Sequence, residues 1–244
     1  MGKWSRRGFI AAGVVAGGGL AVGVGLRIGN RNEELAGLVT EGDETLVHTW
    51  VKIGADNKVT AIIPHAEMGQ GVHTALSQML ADELDAAWED VSFIEAPAEM
   101  GFANYPLGRG FILPGVEIPT VLAPTVDGAF LQVAKMMGLQ ITGGSASVRA
   151  TGVYGMRLAG AATREMLMSA AAQAWQVDSA ALSTENGHVL HAASGKREPY
   201  SSFATAAAQL TPPVKPRLKQ PSEFKIMGKS VPRFDIPEKV TGEA

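Results

Sequence analysis

The sequence predicts an α+β fold, with short strands in a mixed sheet packed against two substantial helices. β-Branched runs flank a turn signal near residue 56, and apolar residues recur at helical spacing after residue 74. An Ala-rich helical stretch follows residue 154. With 244 residues, of which 46% are apolar, the chain has the length for one or two domains with a buried core.

The composition excludes several kinds of function. The net charge is −3 and no basic patch is interleaved with aromatic residues, so the sequence does not indicate a nucleic-acid partner. The chain contains no cysteine, which excludes disulfides, a thiolate nucleophile and a cysteine-ligated iron–sulfur cluster within it. If the protein moves electrons through iron–sulfur centres, another chain must hold them.

The N-terminus has the pattern of an export signal. Lys3, Arg6 and Arg7 precede a long uncharged stretch, 11–26, of Ala, Val, Gly and Leu. The string Ser5–Ile10 resembles the twin-arginine form of signal, whose translocase carries folded cargo. Export in the folded state usually serves a cofactor that is inserted in the cytoplasm, so a buried cofactor is expected further along the chain.

The alternative for the segment 1–29 is an ordinary membrane anchor whose arginines are incidental. No Ala-x-Ala cleavage site follows Leu26, and the segment approaches the roughly 20 residues that span a bilayer. If the segment is retained, its basic end stays cytoplasmic and the rest faces the periplasm. A polar, acidic connector, 30–44, follows it.

Residues 45–210 are expected to form one half-domain. Thr45–Ile53 and Lys58–Ile63 flank a turn, which predicts a β-hairpin. The other predicted elements are a helix over 74–86 capped by Thr74, a strand over 91–95, a helix over 126–137, a helix over 154–175, a hairpin at Asn186-Gly187 between 181–185 and 188–191, and a helix over 201–210 capped by Ser201.

Two stretches lack this periodicity. The segment 97–125 is rich in Gly and Pro, and so long a connection in a compact domain is usually functional or surrounds a ligand. From residue 211 several prolines lie among Lys and Arg, which predicts an extended linker. The segment 211–244 is therefore expected to be a Pro-rich linker with the start of a further domain.

The first group of residues that could bind a ligand is the string Glu67–Val72, between a predicted strand and a predicted helix. Gly69 and Gly71 allow close approach of a ligand to the backbone, because neither carries a Cβ atom. The carboxamide of Gln70 offers donors and an acceptor that suit the edge of a flat heterocycle. Free amides at the start of the helix favour an anion. The plain alternative is a tight turn with an exposed glutamine.

The second such group is Gly143–Ser147, ahead of the long helix. Small residues, two hydroxyls and clustered amides are typical of an anion-binding nest. The string lacks the ending of a P-loop, and the chain has no dinucleotide fingerprint, so nucleotide binding is poorly supported. The alternative is a flexible loop that enters a helix.

Together the two strings resemble a known family. Residues 67–75 are similar to the Met-Gly-Gln-Gly segment of xanthine dehydrogenase and aldehyde oxidase molybdenum subunits, and 143–147 to their small-residue loop. The twin-arginine start, Arg164–Leu167 and the exit 234–242 resemble one branch, the isoquinoline 1-oxidoreductase β subunits. The resemblance covers nearly all of the chain from Thr45 onward.

The resemblance implies half of a molybdopterin-binding domain, preceded by an N-terminal export helix. It implies molybdenum with molybdopterin, in bacteria usually the cytosine dinucleotide form. The cofactor-binding residues that it implies are Gly69, Gln70, Gly71, Gly144, Ser145, Ala146 and Ser147. The catalytic glutamate of the resembling subunits lies in a part beyond Ala244, so no catalytic residue is assigned. The chain is then a fragment or a split-gene product.

The resemblance also implies a reaction and partners. The reaction is oxidation of an N-heteroaromatic or aldehyde with water-derived oxygen. The partners are a small [2Fe-2S] subunit, a cytochrome c acceptor and the remaining part of the molybdenum subunit. One alternative is a catalytically incomplete binding module that needs a complementary chain. Another is an unrelated membrane-tethered periplasmic binding domain whose glycine bends are only turns.

Other polar residues are expected to have structural roles. Glu67 is interpreted as a surface or supporting residue. His188 and His191 lie three apart on a predicted strand, so their side chains point to opposite faces. His65 and His73 flank the loop that contains Gly69, Gln70 and Gly71, without a third ligand, so no metal site is expected. The run 166–168 is interpreted as helix core.

Overall fold

The three-dimensional structure, a computed structural model that describes residues 28–138 and 140–243, confirms the α+β class. Its α-helices are α1 (Ile28–Val39), α2 (Val72–Leu84), α3 (Tyr105–Ile112), α4 (Ala123–Met136), α5 (Gly144–Thr151), α6 (Arg157–Trp175), α7 (Ser201–Ala208) and α8 (Ile236–Thr241). Its strands are β1 (Thr45–His48), β2 (Val51–Ile53), β3 (Val59–Ile63), β4 (Val91–Glu95), β5 (Ser183–Glu185), β6 (His188–His191) and β7 (Lys196–Pro199).

The structure describes only part of the region covered by the N-terminal predictions. The expected signal or anchor lies outside the described residues, apart from its last two positions. Within the described part of the chain, no helix combines the length and the hydropathy needed to cross a bilayer. The expected connector 30–44 contains most of α1. Leu35 and Val39 of that helix are buried in the core, so this stretch is packed against the domain.

A four-stranded mixed sheet with the order β1-β2-β3-β4 forms the base of the site. The predicted hairpin is present as β2 and β3, which pair antiparallel around a turn where Asn57 has a φ of 68°. β1 is a separate strand, because the chain reverses between His48 and Val51. β3 and β4 pair in parallel, and α2 connects them. The end of β3 therefore leads directly into the first bend.

The core lies between this sheet and the helices α2 and α6, which pack on each other. Met166 and Leu167 are almost fully buried and Met168 packs against the core, which confirms the predicted helix core. Gly160 sets the spacing between the helices, because a Cβ atom there would lie 2.4 Å from the backbone oxygen of Leu80. The glycine is required by close packing of one helix on the other.

A second sheet, β5-β6-β7, contains the predicted hairpin at Asn186 and a third strand that was not predicted. The prediction that Ser201 caps α7 is wrong. Tyr200 occupies the cap position, without a side-chain cap, and its buried hydroxyl donates to the backbone oxygen of Leu84 at 2.7 Å. The Asn57 carboxamide donates to the Gly187 carbonyl, which joins the turns of the two sheets.

The expectation of an irregular segment over 97–125 is wrong in its middle, where α3 forms. Asn104 caps this helix by accepting from the amide of Leu107 at 3.1 Å, and Pro106 lies in its first turn. Gly110 concealed the helix in the sequence. A Cβ atom at Gly110 would lie 2.5 Å from that of Ala150 on α5, so this glycine permits close packing.

The predicted helix-entry loop is also shorter than expected. α5 already begins at Gly144, so four of the seven candidate binding residues occupy its first turn. A π-helical turn, Gly152–Met156, joins α5 to α6, and α6 begins three residues later than predicted. Small residues made this boundary hard to locate from hydrophobic spacing.

The predicted linker after residue 211 is extended but packed against α2. The carboxylate of Asp82 accepts hydrogen bonds from the amides of Lys225, Ile226 and Met227, at 2.8 to 3.2 Å. Lys219 is also buried and contacts Asp82. These contacts return the chain across α2 and place the residues before α8 beside the first bend.

Candidate functional site

The first bend, residues 65–71, connects β3 to α2. Gly69 and Gly71 have φ angles of +100° and +74°, a region that side chains other than glycine rarely adopt. A Cβ atom at either position would meet no atom within 4 Å. The glycines are therefore required by backbone conformation, and the space beside them is open to a ligand.

Glu67 holds this bend from within. One carboxylate oxygen accepts hydrogen bonds from the amides of Gly69 and Gly71, at 2.8 and 3.0 Å. Burial acts to raise the pKa of Glu67, but the hydrogen bonds from Gly71 and Gly69 and the charge of Arg233 outweigh it and lower the pKa. The side chain is only 8% exposed. Glu67 was predicted to be either a surface residue or a supporting residue, and these contacts favour the second role.

Gln70 uses part of its carboxamide inside the bend. Its nitrogen donates to the backbone oxygen of Ala66 at 2.9 Å, and its oxygen accepts from the amide of Met68 at 2.7 Å. A carboxamide has two N–H groups and two lone pairs on oxygen. One donor and one acceptor of Gln70 therefore remain for an outside partner, and the half-buried side chain is held in place.

The second bend is the start of α5. Gly143 is its cap residue, Gly144 and Ser145 are exposed, and Ala146 is half-buried. Ser147 is buried, and its hydroxyl bonds to both the amide and the carbonyl of Gly143. The Ser147 hydroxyl therefore shapes the bend. The first amides of α5 lack acceptors within the helix and face outward from its positive end.

The structure brings the two bends into contact. The amide of Ala66 donates to the hydroxyl of Thr142 at 2.9 Å. The segments that precede α2 and α5 are thus in contact, and neither helix carries a side-chain cap. A Cβ atom at Gly144 would also meet nothing within 4 Å. Open space therefore lies beside glycines of both bends.

A buried polar network beneath the bends was missed by the sequence analysis. His65 Nε2 lies 2.8 Å from the hydroxyl of Thr151 and 3.0 Å from the carboxamide nitrogen of Asn104. That nitrogen also donates to Thr151 at 3.1 Å. The three residues come from the end of β3, the start of α3 and the end of α5. Their separation in sequence left no local signal.

Burial lowers the pKa of His65 to about 4, with a smaller contribution from the nearby His73 and an opposing one from the backbone of Ile141. His65 is therefore neutral at pH 7 and acts as a fixed hydrogen-bonding group. His73 lies 2.9 Å from the carbonyl of His65 and stacks on Phe93 at 4.3 Å. Both histidines support the bend from below.

Two further histidines, His188 and His191, have partners away from the bends. His188 contacts the carbonyl of Asn186, and His191 contacts the hydroxyl of Ser194, each at 2.7 Å. Over residues 28–138 and 140–243, no group of three or more His, Asp or Glu side chains is arranged to hold a metal ion. In the first bend, Gln70 keeps one donor and one acceptor that make no contact within the bend.

Comparison with known proteins finds similarity to a cofactor-binding family. The molybdopterin cofactor-binding domain family matches residues 3–101, which include the whole first bend. The chain is 28% identical over 230 residues to the β subunit of the isoquinoline 1-oxidoreductase of Brevundimonas diminuta, covering 81% of this chain and 26% of that protein.

Two further relatives extend the comparison. A subunit of the nicotinate dehydrogenase of Pseudomonas putida is 25% identical over 195 residues, 80% of this chain and 13% of that protein. The membrane-bound aldehyde dehydrogenase of Gluconacetobacter polyoxogenes is 26% identical over 253 residues, 98% of this chain and 27% of that protein, and its name specifies pyrroloquinoline-quinone. The chain spans about a quarter or less of each relative.

Proposed function

Because this chain belongs to the family of molybdopterin-binding subunits related to the β subunit of isoquinoline 1-oxidoreductase, we propose that its two bends bind one molybdopterin cofactor together. The observation that supports the proposal is the hydrogen bond from Ala66 to Thr142, which brings the segments before the two helices into contact. Anionic groups bind readily at helix N-termini, and the open glycines leave room for a flat ring.

The candidate residues divide the task. Gly69 and Gly71 give the ring access to the backbone, and the free donor and acceptor of Gln70 bind its edge. The amides and hydroxyl in the first turn of α5, at Gly144, Ser145 and Ala146, bind the anionic part. Ser147 contributes through its hold on Gly143. Each such hydrogen bond is worth about 0.5–1.5 kcal/mol net, so cofactor retention requires several together.

When bound, the cofactor supplies the two-electron oxidation that inserts a water-derived oxygen into the substrate. For the substrate we favour an N-heteroaromatic compound or an aldehyde. Isoquinoline, nicotinate and aldehyde appear in the names of the three relatives, which supports this choice. The task of this chain's own residues is binding and orienting the cofactor, and no catalytic residue is assigned among them.

The further proposals concern partners and cellular location. The absence of cysteine supports a separate small [2Fe-2S] subunit, with a cytochrome c as the next acceptor, and a further part of the molybdenum subunit completes the site. The pterin is proposed to be the cytosine dinucleotide form. The string Ser5–Ile10 supports export by the twin-arginine route to the periplasm. Replacing Arg6 and Arg7 by Lys should retain the protein in the cytoplasm, as fractionation would show.

An alternative is a cofactor-binding module that lacks activity until a complementary chain joins it. The exposure of Gly69, Gly144 and Ser145 supports this alternative, because one side of the proposed cofactor site faces solvent. Copurification of a second polypeptide, with molybdenum present only in the complex, would favour the module over a self-sufficient subunit.

The test is cofactor analysis of protein purified with its accompanying subunits. Molybdenum, pterin and pyrroloquinoline-quinone are measured per mole of chain in the wild type, in Gly71→Ala and in the matched variant Gly37→Ala. Gly71 needs a positive φ, whereas Gly37 is an exposed helical residue with open space around it. We expect molybdenum and pterin in equal amounts, lost in Gly71→Ala and kept in Gly37→Ala. Absence of pterin from the wild type, or quinone in its place, contradicts the proposal.

A further inference from the structure

The segment Arg233–Asp235, here called the exit peptide, folds back onto the first bend although it follows that bend by more than 160 residues. We propose that Arg233 is a positioning residue, which fixes the conformation of the glycine bend through Glu67. This inference rests on the proposed function, since a fixed bend matters most if it binds the cofactor. It adds a requirement for residues far outside the two bends.

Arg233 connects the exit peptide to the first bend. One terminal nitrogen of Arg233 donates to the carbonyl of Gly69 at 3.2 Å, and the other lies 3.2 Å from the carboxylate of Glu67. The same Glu67 oxygen holds the amides of Gly69 and Gly71. Arg233 therefore contacts the bend directly at one carbonyl and indirectly through the carboxylate that organises its amides.

Asp235 orients the guanidinium group of Arg233. Asp235 accepts two hydrogen bonds from Arg233, at 2.8 and 2.6 Å, in a bidentate arrangement. Lys239 approaches the same carboxylate at 2.5 Å. A bidentate pair fixes the plane of the guanidinium, so the remaining N–H groups of Arg233 point to the bend in one geometry. Lysine cannot reproduce this arrangement.

Phe234 anchors the exit peptide independently of Arg233. The amide of Phe234 donates to the hydroxyl of Thr74 at 3.0 Å. The ring of Phe234 stacks between Trp88, at 5.2 Å, and Phe93, at 5.4 Å. Aromatic contacts of this kind hold the peptide without help from Arg233. A change at Arg233 therefore removes its contacts to the bend and leaves the peptide in place.

The first bend needs the charge and the hydrogen bond that Arg233 supplies. Glycine loses more conformational freedom on ordering than any other residue, and the bend fixes two of them at positive φ. Glu67 organises them, but its carboxylate is largely buried and needs a balancing charge. Arg233 supplies that charge. Without Arg233, Glu67 is expected to turn toward water and release both amides.

The experiment measures hydrogen exchange of the Gly69 and Gly71 amides and the molar molybdenum and pterin content, in protein purified with its accompanying subunits. The variants are Arg233→Gln and Arg233→Lys. The matched control is Arg217→Gln, because Arg217 lies in the same C-terminal region and pairs with Glu223 on the exposed surface at 2.7 Å. Thermal unfolding of each variant monitors the global fold.

We expect the two amides to exchange about tenfold to a hundredfold faster in Arg233→Gln, by loss of charge-assisted contacts, with a parallel fall in cofactor content. Arg233→Lys should show most of this effect, and Arg217→Gln none. Exchange in both Arg233 variants equal to that of the wild type overturns the inference. If Arg233→Gln unfolds, Arg233→Lys decides. If the wild type contains no pterin, the proposed function fails, while the exchange measurement still decides the role of Arg233.

Discussion

The amide of Ala66 donates a hydrogen bond of 2.9 Å to the hydroxyl of Thr142, across 76 positions of sequence. Ala66 belongs to the bend before α2, and Thr142 immediately precedes the bend that starts α5. Each bend alone is a common helix entry. Their contact supports the proposal that the two bends form one binding surface.

Removing the Thr142 hydroxyl tests this junction. Thr142→Val keeps the shape of the side chain but leaves the Ala66 amide without its acceptor. We expect stability to fall by about 1 kcal/mol and cofactor content to fall further than stability accounts for. Thr142→Ser retains the hydroxyl and serves as control. Chemical denaturation and pterin analysis measure the two effects, and equal cofactor content in Thr142→Val and the wild type would argue against a shared site.

Gly160 gives a prediction about the core. In Gly160→Ala the new methyl group would lie 2.4 Å from the Leu80 carbonyl oxygen, so α2 and α6 must separate. Overpacking of this kind costs typically about 1–3 kcal/mol. The same change at Gly37 meets no atom within 4 Å and should stabilise α1 by up to about 1 kcal/mol. Denaturation midpoints of the two variants should therefore shift in opposite directions.

The buried histidine predicts a dependence of stability on pH. The pKa of His65 is about 4 in the folded protein, against 6.5 for an ordinary histidine. In the unfolded chain His65 therefore binds a proton near pH 6.5, whereas in the folded chain it binds one only near pH 4. The stabilisation is complete above pH 6.5 and is lost as the pH falls to 4. At pH 5 the loss amounts to about 2 kcal/mol.

The variant His65→Gln isolates this contribution, because glutamine can still bond to Thr151 but does not titrate. We expect its unfolding free energy to change less than that of the wild type between pH 7.5 and 5, by about the same 2 kcal/mol. His191→Gln, a change at a half-buried surface position, should retain the wild-type dependence. Parallel pH profiles for His65→Gln and the wild type would contradict the assignment.

Asp82 predicts the stability of the packed C-terminal segment. Its carboxylate accepts from three consecutive amides and contacts the buried Lys219. Asp82→Ala leaves three partly buried amides without their acceptor, while Asp85 still pairs with Lys219 at 2.6 Å, and should cost about 1–3 kcal/mol. The exposed Glu89→Ala is the control. Limited proteolysis should cut residues 211–235 rapidly in Asp82→Ala only, and equal cutting rates in the two variants would refute this role.

Much of the fold follows from local patterns in the sequence. The β2–β3 hairpin, β4, α2 and the hairpin at Asn186 were predicted because each has its own periodicity or turn signal. α3 was missed because its two glycines resemble a loop, although Gly110 packs against Ala150. The extended segment after residue 211 was correctly expected, but its attachment to Asp82 depends on contacts that no local pattern records.

The candidate site was predictable to a similar extent. The sequence identified both bends, because glycine pairs beside a helix start form a local signal. It could not show that Gln70 folds back on Ala66, that Ser147 bonds to Gly143, or that Arg233 reaches Glu67. The network of His65, Asn104 and Thr151 joins three distant parts of the chain and becomes visible only in the folded structure.

The central claim is that both bends hold the same cofactor, and an experimental structure of the protein with its cofactor tests it most directly. We expect one pterin whose ring contacts Gln70 and whose anionic part lies at hydrogen-bonding distance from the amides of Gly144 and Ser145. A cofactor that contacts only one of the two bends, or that lies elsewhere on the chain, would contradict it.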